Sequence, residues 1–299
     1  MKILNFGSLN VDYVYGVEHL VLPGETISSN KLTITTGGKG LNQSIALAKA
    51  GAKTFHAGAV GKADSSMLKG VLDSNGVNTD YIEILTGSSG HAIIQVDMNG
   101  QNSIVLYGGT NQQIEEEFVD RVLENFSTGD IVLLQNEISS IKYIMEMAYK
   151  KGMKIYFNPS PANRKLQEYP INYVDTLMLN EVEGEQLTGE SNPDHILDSL
   201  LEKYSEMKIM LTLGERGSTY ADKDRREYQK IYKSVVVDTT AAGDTFTGYF
   251  IASAAKAMDI KASLKYSSAA ASIAVSRLGA ACSIPSFKEV EEFIIAHDK

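Results

Sequence analysis

Between Asp130 and Gly214 the chain alternates apolar runs with helical patterns, and that alternation restricts the fold more than any other feature. IVLLQ, KIYFN, TLMLN and KIMLTLG are short and apolar almost throughout, while residues 140–151 and 193–204 carry helical spacing. A strand that is apolar on both sides needs cover on both sides, which a parallel sheet with helices on each face supplies. The expectation is a single α/β domain over residues 1–299, a doubly wound, mostly parallel sheet flanked by helices. Ile3–Phe6 and residues 55–60 read as further strands, and residues 41–51 and 65–75 as helices, with Gly51 as a C-terminal stop. Helices are also expected over 262–277 and 286–296. Two β-rich pieces, roughly 10–36 and 86–108, do not follow the alternation. HAIIQVD and SIVLY flank Met98-Asn99-Gly100-Gln101, an Asn-Gly hairpin signal. The two pieces are expected to form one small sheet, a lid over the site, with an exposed apolar face suited to pairing two subunits in a homodimer.

Composition narrows the function classes. With 299 residues, 43% hydrophobic and 22% charged, the chain can bury a sizeable core. A net charge of −9 argues against nucleic acid or an anionic membrane as a partner. Cys282 is the only cysteine and cannot form an internal disulfide. Lys2 leads straight into a strand pattern where a signal peptide would carry a longer apolar segment, and no run has the length of a membrane helix. These features fit a cytoplasmic protein.

The chemistry concentrates in VVVDTTAAGDTFTGYF, residues 235–250. Val235, Val236 and Val237 predict a short buried strand, Asp238 its end, and Asp244 the opening of a helix. Ala241, Ala242 and Gly243 are small enough to bring backbone amides close to a ligand. A strand, a small-residue turn and a helix N-terminus form an anion site. A carboxylate there, Asp244, suits the removal of a proton from a nucleophile attacking a phosphate, and it also suits a helix N-cap. Ligands of such folds sit at the carboxyl ends of strands, where Asn10, Glu137, Asn158, Asn180 and Gly214 are placed by the pattern.

Other candidates carry competing readings. Gly37-Gly38-Lys39-Gly40 with Asn42 and Gln43 sets a lysine and two amides at a helix start, without Walker A spacing; a glycine turn with solvated polar groups explains it as well. Asn180 and Glu183 form a capping box, and Glu183 also suits a metal or phosphate role. Glu137 suits the first solvated residue after a strand, Asp12 a surface position, and residues 212–217 a plain turn between strands. The five histidines lack metal-ligand spacing.

GGKGLNQSIALAKAGA (37–52) and DTTAAGDTFTGYF (238–250) resemble the two signature regions of the ribokinase family of carbohydrate kinases. GSLNVD (7–12), PGET (23–26), NPSPA (158–162), NEVE (180–183), TLGERG (212–217) and SRLGAACSIP (276–285) follow in family order. The resemblance implies a ribokinase-like fold and ATP-dependent phosphorylation of a sugar hydroxyl, D-ribose to D-ribose 5-phosphate being the form nearest in motif detail. It implies Asp244 as general base and the amides of Ala241, Ala242 and Gly243 as an anion hole. Asn10, Asp12, Gly38, Lys39, Asn42, Glu137 and Asp244 would hold the sugar. Asn180, Thr212, Gly214, Glu215, Gly217, Gly243 and Ser268 would hold ATP, with Mg²⁺ met by Glu183 through water. An activating K⁺ would lie at Asp238 and Thr240 with Val275, Gly279 and Ser283. Gln95 and Tyr107 depart from the family's lid pattern and bear on which sugar is taken. A kinase of another sugar (fructose-type) or of a nucleoside, and a silent sugar or nucleotide sensor, are the alternatives; retention of Asp244 argues against the sensor.

Overall fold

The apolar runs of the second half become adjacent parallel strands, and the alternation of their side chains builds two cores. The computed structural model describes residues 1–298. The first half holds β1 (Ile3–Phe6), β2 (Asn10–Gly16), β3 (Lys31–Gly37), α1 (Lys39–Lys49), β4 (Thr54–Gly61), α2 (Ser65–Ser74), β5 (Asn78–Leu85), β6 (Gly90–Val96), β7 (Asn102–Tyr107) and α3 (Glu116–Leu123). There follow β8 (Ile131–Gln135), α4 (Ile141–Lys150), β9 (Lys154–Asn158), β10 (Thr176–Asn180), α5 (Glu181–Thr188), α6 (Pro193–Lys203) and β11 (Lys208–Thr212). The chain closes with β12 (Ser218–Ala221), β13 (Arg226–Gln229), α7 (Ala242–Ala255), α8 (Ile260–Val275) and α9 (Phe287–His297).

The main sheet has nine strands in the order β13-β12-β11-β10-β9-β8-β1-β4-β5. Every neighbouring pair is parallel except β11–β12 and β12–β13, which make an antiparallel edge. In β8, Ile131 and Leu133 enter one core with α1, α7, α8 and α9, while Val132 and Leu134 enter the other with α3, α4 and α6. β10 and β11 repeat the split, Met178 and Met210 on the first face, Leu177, Leu179, Ile209 and Leu211 on the second. This is the two-sided cover that continuous apolar strands require.

The two β-rich pieces join in a second, four-stranded sheet, β3-β2-β6-β7. β2 lies antiparallel to β3 and parallel to β6, with Asn10 opposite Gly90 and Asp12 opposite Ala92. β1 and β2 therefore belong to different sheets although three residues separate them. The turn between them meets the first turn of α1 at backbone distance: a Cβ on Gly7 would lie 2.5 Å from Gly40 Cα. The Leu41 amide donates to Ser8 O at 3.0 Å across that contact. Glycine at both positions is what lets the helix start reach the strand rim.

Three expectations fail. Val235, Val236 and Val237 form no strand and are exposed; the Val237 and Asp238 amides donate to Val275 O at the end of α8. The following helix opens at Ala242, two residues before Asp244, so Asp244 is not its N-cap. β5, β13 and α3 lie where no element was expected, whereas α5 starts at the Asn180–Glu183 capping box and β12 follows the turn at 212–217.

Candidate active site

The carboxyl ends of β8 to β11 and the N-termini of α1 and α7 enclose a cavity of about 380 Å³ under the small sheet. Asn10, Asp12, Gly38, Lys39, Asn42, Glu137, Asn158, Asn180, Glu183, Thr212 and residues 239–244 line it. Thus every residue expected to hold a sugar comes to one place, drawn from elements up to 234 positions apart in sequence (Asn10 to Asp244).

Asp244 stands in the first turn of α7. Its Oδ2 accepts from Asn42 Nδ2 at 2.9 Å and its Oδ1 from Gln43 Nε2 at 2.8 Å. Burial pushes its pKa up to about 6, outweighing the opposing pull of the Lys39 ammonium and the two amide donors. Ahead of it, Ala241 caps the helix at φ 59°, the left-handed region, a conformation an alanine keeps only where its surroundings impose it. The Ala242 amide makes a 3.3 Å bond to Thr239 O. The Ala241 and Gly243 amides find no protein acceptor among the described residues, leaving them for an anion at the positive end of the helix.

Glu137 is side-chain buried, not the first solvated residue of a loop. Its Oε1 accepts from Lys39 Nζ at 2.9 Å and its Oε2 from the Lys39 amide at 3.0 Å and from Ser8 Oγ. Burial alone would lower the Lys39 pKa, but the carboxylates of Glu137, Asp244 and Glu183 together raise it, so the ammonium is retained. Gly38, at φ 94°, makes the turn that presents Lys39. Asp12 projects from β2 against Gly37, where a Cβ would collide with its carboxylate. Burial, then the Glu137 charge, raises the Asp12 pKa to about 6. Asn10 Oδ1 accepts from Asn111 Nδ2 at 2.7 Å, which leaves its amide hydrogens for a ligand. Asn42 Oδ1 is buried with no donor among the described residues.

The residues expected around a nucleotide are less gathered. Asn180 and Glu183 complete the capping box at the start of α5, Asn180 N donating to Glu183 Oε2 at 3.0 Å, and both line the cavity. Thr212 lines it at the end of β11, whereas Gly214 and Glu215 are exposed in the turn beyond and Gly217 is buried there. Ser268 is buried in α8, donates to Lys230 O at 3.0 Å and is not on the cavity wall. Four carboxylates (Asp12, Glu137, Glu183, Asp244) and one ammonium (Lys39) line the cavity, a balance that suits a polyphosphate brought in with a divalent cation. Asp238 accepts from Thr240 N, Thr240 Oγ1 and Gly279 N, and these bonds, against the raising effect of burial, keep its pKa low. Ser283 is buried four residues on from Gly279. The Val275 carbonyl takes the Val237 and Asp238 amides, so both of its lone pairs are used and it does not fit a cation ligand in this arrangement.

Register corrects one expectation. Ala92 and Ile94 of β6, with Ile104 and Leu106 of β7, face the cavity. Gln95 and Tyr107 have the opposite parity and face away; Gln95 Oε1 accepts from the Val21 amide at 3.0 Å, and Tyr107 packs on His91. Neither bears directly on the ligand. Sequence reasoning missed Gln43 as the partner of Asp244, Ser8 as a donor to Glu137, and Asn111 as the residue that turns Asn10. All three act through tertiary contacts that no local spacing announces.

The family model for the pfkB family carbohydrate kinases matches residues 1–286. The chain belongs to the pfkB family of carbohydrate kinases. The kinase is 33% identical to ribokinase of Haemophilus influenzae over 297 residues, 96% of each chain. It is 32% identical to deoxyribokinase of Salmonella typhi, covering 98% of this chain and 99% of that one. Its fold matches the structure of Arabidopsis thaliana ribokinase complexed with ribose and ATP, with a TM-score of 0.86, 30% identity and 98% coverage of both chains. The expected ribokinase-like α/β architecture is therefore that of the family. Among the described residues no helix is long and apolar enough to cross a membrane.

A pH dependence follows from the two raised carboxyls. A proton-accepting role for Asp244 would require it ionised and would be lost as pH falls through about 6, and over the same range Asp12 would gain an O–H donor in place of one of its acceptor sites. The acid limb of kcat/KM is expected there, about two units above an unperturbed aspartate. A pH–rate profile that stays flat down to pH values of about 4–5 would show that neither carboxyl is needed ionised.

Proposed function

We propose that the kinase transfers the γ-phosphoryl group of ATP to a hydroxyl of a small sugar, with D-ribose as substrate and D-ribose 5-phosphate and ADP as products. The observation that carries this is Asp244, held by two amides at a helix N-terminus in the lining of a cavity that Asn10 and Asp12 also line. The hydroxyl gives its proton to Asp244 as its oxygen attacks the γ-phosphorus, and the bond from that phosphorus to the bridging oxygen of ADP breaks. The Ala241 and Gly243 amides face the charge that gathers on the equatorial oxygens, and the Ala242 amide joins them if it leaves Thr239 O. Mg²⁺, when bound with the nucleotide, supplies neutralisation of the phosphate charge. Glu183, one of whose oxygens is committed to the Asn180 amide, would meet it through water. Asn42 Oδ1, a buried acceptor without a donor, fits a ligand hydroxyl.

The wall formed by Ala92, Ile94, Ile104 and Leu106 carries no cation, which favours an unphosphorylated sugar over a phosphosugar. A coupled assay of ADP release across pentoses, hexoses and nucleosides tests the assignment: sugar-dependent release with ribose fastest supports it, and release independent of any sugar overturns it. The Salmonella typhi relative, a deoxyribokinase, makes 2-deoxyribose the second reading.

Two further proposals attach to this reading. Asp238 and Thr240, with the late loop at Gly279 and Ser283, would hold K⁺ beside the anion hole; turnover in K⁺ is expected to exceed turnover in a bulky organic cation severalfold at equal ionic strength, and equal rates would remove the site. The small sheet would act as the lid, and its far face would pair two subunits. Leu32, Ile34, Ile93 and Val105 are exposed on that face, more apolar surface than a four-stranded sheet can cover by itself. Sedimentation at micromolar concentration is expected to show a dimer; a monomer would refute the pairing. The location of the protein is proposed to be cytoplasmic, and its ligands a sugar and ATP.

A further inference from the structure

Behind the cavity lies a group of fully buried polar side chains that the phosphoryl transfer does not touch. Asn5 on β1, Gln135 on β8, Gln43 and Ser44 on α1 and His56 on β4 are all without solvent exposure. Their hydrogen bonds form one chain. His56 Nε2 lies 3.1 Å from Gly7 O, which can only accept, so the ring donates there and its Nδ1 is the acceptor. Ser44 Oγ, 2.8 Å from Nδ1, therefore gives its hydrogen to the ring. The serine oxygen accepts from Asn5 Nδ2 at 2.8 Å, and the same Nδ2 donates to Gly40 O at 2.8 Å. Asn5 Oδ1 is thereby turned toward Gln135 Nε2, 2.9 Å away. Gln135 Nε2 spends its other hydrogen on Gln43 Oε1 at 2.7 Å, and Gln43 Nε2 donates to Asp244 Oδ1.

No amide in this chain can flip by itself. Turning Asn5 would set its oxygen against Gly40 O, and turning Gln43 would set its oxygen against the Asp244 carboxylate. Gln135 Oε1 is left without a donor, the cost of committing both of its hydrogens to Gln43 and Asn5. Such a row of buried amides is expensive unless each member is satisfied, so its role has to be sought at the end that reaches the cavity.

We propose that Gln43, Gln135 and Asn5, anchored by Ser44 and His56, are positioning residues that hold the Asp244 carboxylate in one orientation and keep a donor on its Oδ1. The proposal rests on Asp244 being the general base. Asn42 alone would leave the carboxylate free to rotate about its Oδ2 contact; the second, inflexible donor fixes the plane in which the other lone pairs meet the attacking hydroxyl. His56 serves as a neutral anchor, burial pushing its pKa down to about 4.

The test uses Gln135→Met and Gln43→Met, which keep side-chain length and remove the amide, each made in the natural chain and in an Asp244→Asn background. In the natural chain each is expected to lower kcat about tenfold while the KM values for sugar and ATP change less than about twofold. The acid limb of kcat should also move to higher pH, since a lost donor disfavours the carboxylate. Lys39, Glu137, Asp12 and Glu183, the other charged groups around the cavity, are unchanged, and α8 buries no titratable group against α7. In the Asp244→Asn background the same substitutions should cost less than about twofold, because they act through the missing carboxylate. Equal losses in both backgrounds, or an unmoved acid limb, would make the chain a packing feature and overturn the proposal while leaving the base intact. Full turnover in Asp244→Asn alone would remove the base and this proposal together. Thermal unfolding of each variant identifies one that has lost its fold, in which case the other substitution decides.

Discussion

Replacing Asp244 by asparagine is expected to lower turnover by about two to four orders of magnitude while the fold and nucleotide binding persist. The side chain is nearly isosteric, so the cavity keeps its shape. What changes is the number of acceptors. Asp244 takes one hydrogen bond on each oxygen, from Asn42 and Gln43. An asparagine offers one oxygen, so one of those donors must face another donor or turn away, at a cost of about 1–3 kcal/mol in stability. That penalty leaves a domain of this size folded and is separable from catalysis by thermal unfolding. Nucleotide affinity, measured by calorimetry, should change little, because the cavity loses one of four carboxylates and none of its amides. Turnover near that of the natural chain would exclude Asp244 as the base.

The sequence made the main sheet legible because both faces of its central strands are buried, and the parity of Ile131 to Leu134 simply divides them between two cores. The edge was harder. β12 and β13 are four residues each and pair antiparallel, with β13 half exposed, so their composition carries little apolar signal. Val235 to Val237 show the reverse failure. β-branched residues favour a strand only where a partner strand exists, and here the backbone is bonded to the end of α8 instead. The two β-rich pieces were legible as a sheet, but the side of it that meets the ligand was not. Gln95 and Tyr107 belong to the outer face because β2 pairs β6 with Asp12 opposite Ala92, a register that local alternation leaves open. The site's polar residues were legible from their place at strand ends. Their partners were not: Gln43 meets Asp244 only once α1 packs on α7, where Gly248 allows an approach that any larger residue would block.

The substrate prediction has the next largest effect. Asn10 and Asp12 lie two apart on β2, so they share one face, and both line the cavity. Asn111 occupies the Asn10 oxygen, which makes the Asn10 amide a donor toward the ligand, while Asp12 can only accept when ionised. A vicinal diol answers both: one hydroxyl receives the amide hydrogen and its neighbour donates to the carboxylate. A 2-deoxy sugar can answer only one, and the group left over, buried Asn10 or half-buried Asp12, is one where water replaces the lost bond poorly. Ribose is therefore expected to exceed 2-deoxyribose in kcat/KM by up to about two orders of magnitude, the scale set by leaving one buried polar group unpaired. Asn10→Ala should narrow that gap by more than it weakens ATP binding, because it removes the donor on the sugar side and touches no group near Thr212. If 2-deoxyribose, a hexose such as fructose, or a nucleoside outpaces ribose in the same assay, the diol argument fails and the sugar must be read from the apolar wall of Ala92, Ile94, Ile104 and Leu106, which selects by shape and leaves phosphoryl transfer at Asp244 as it stands.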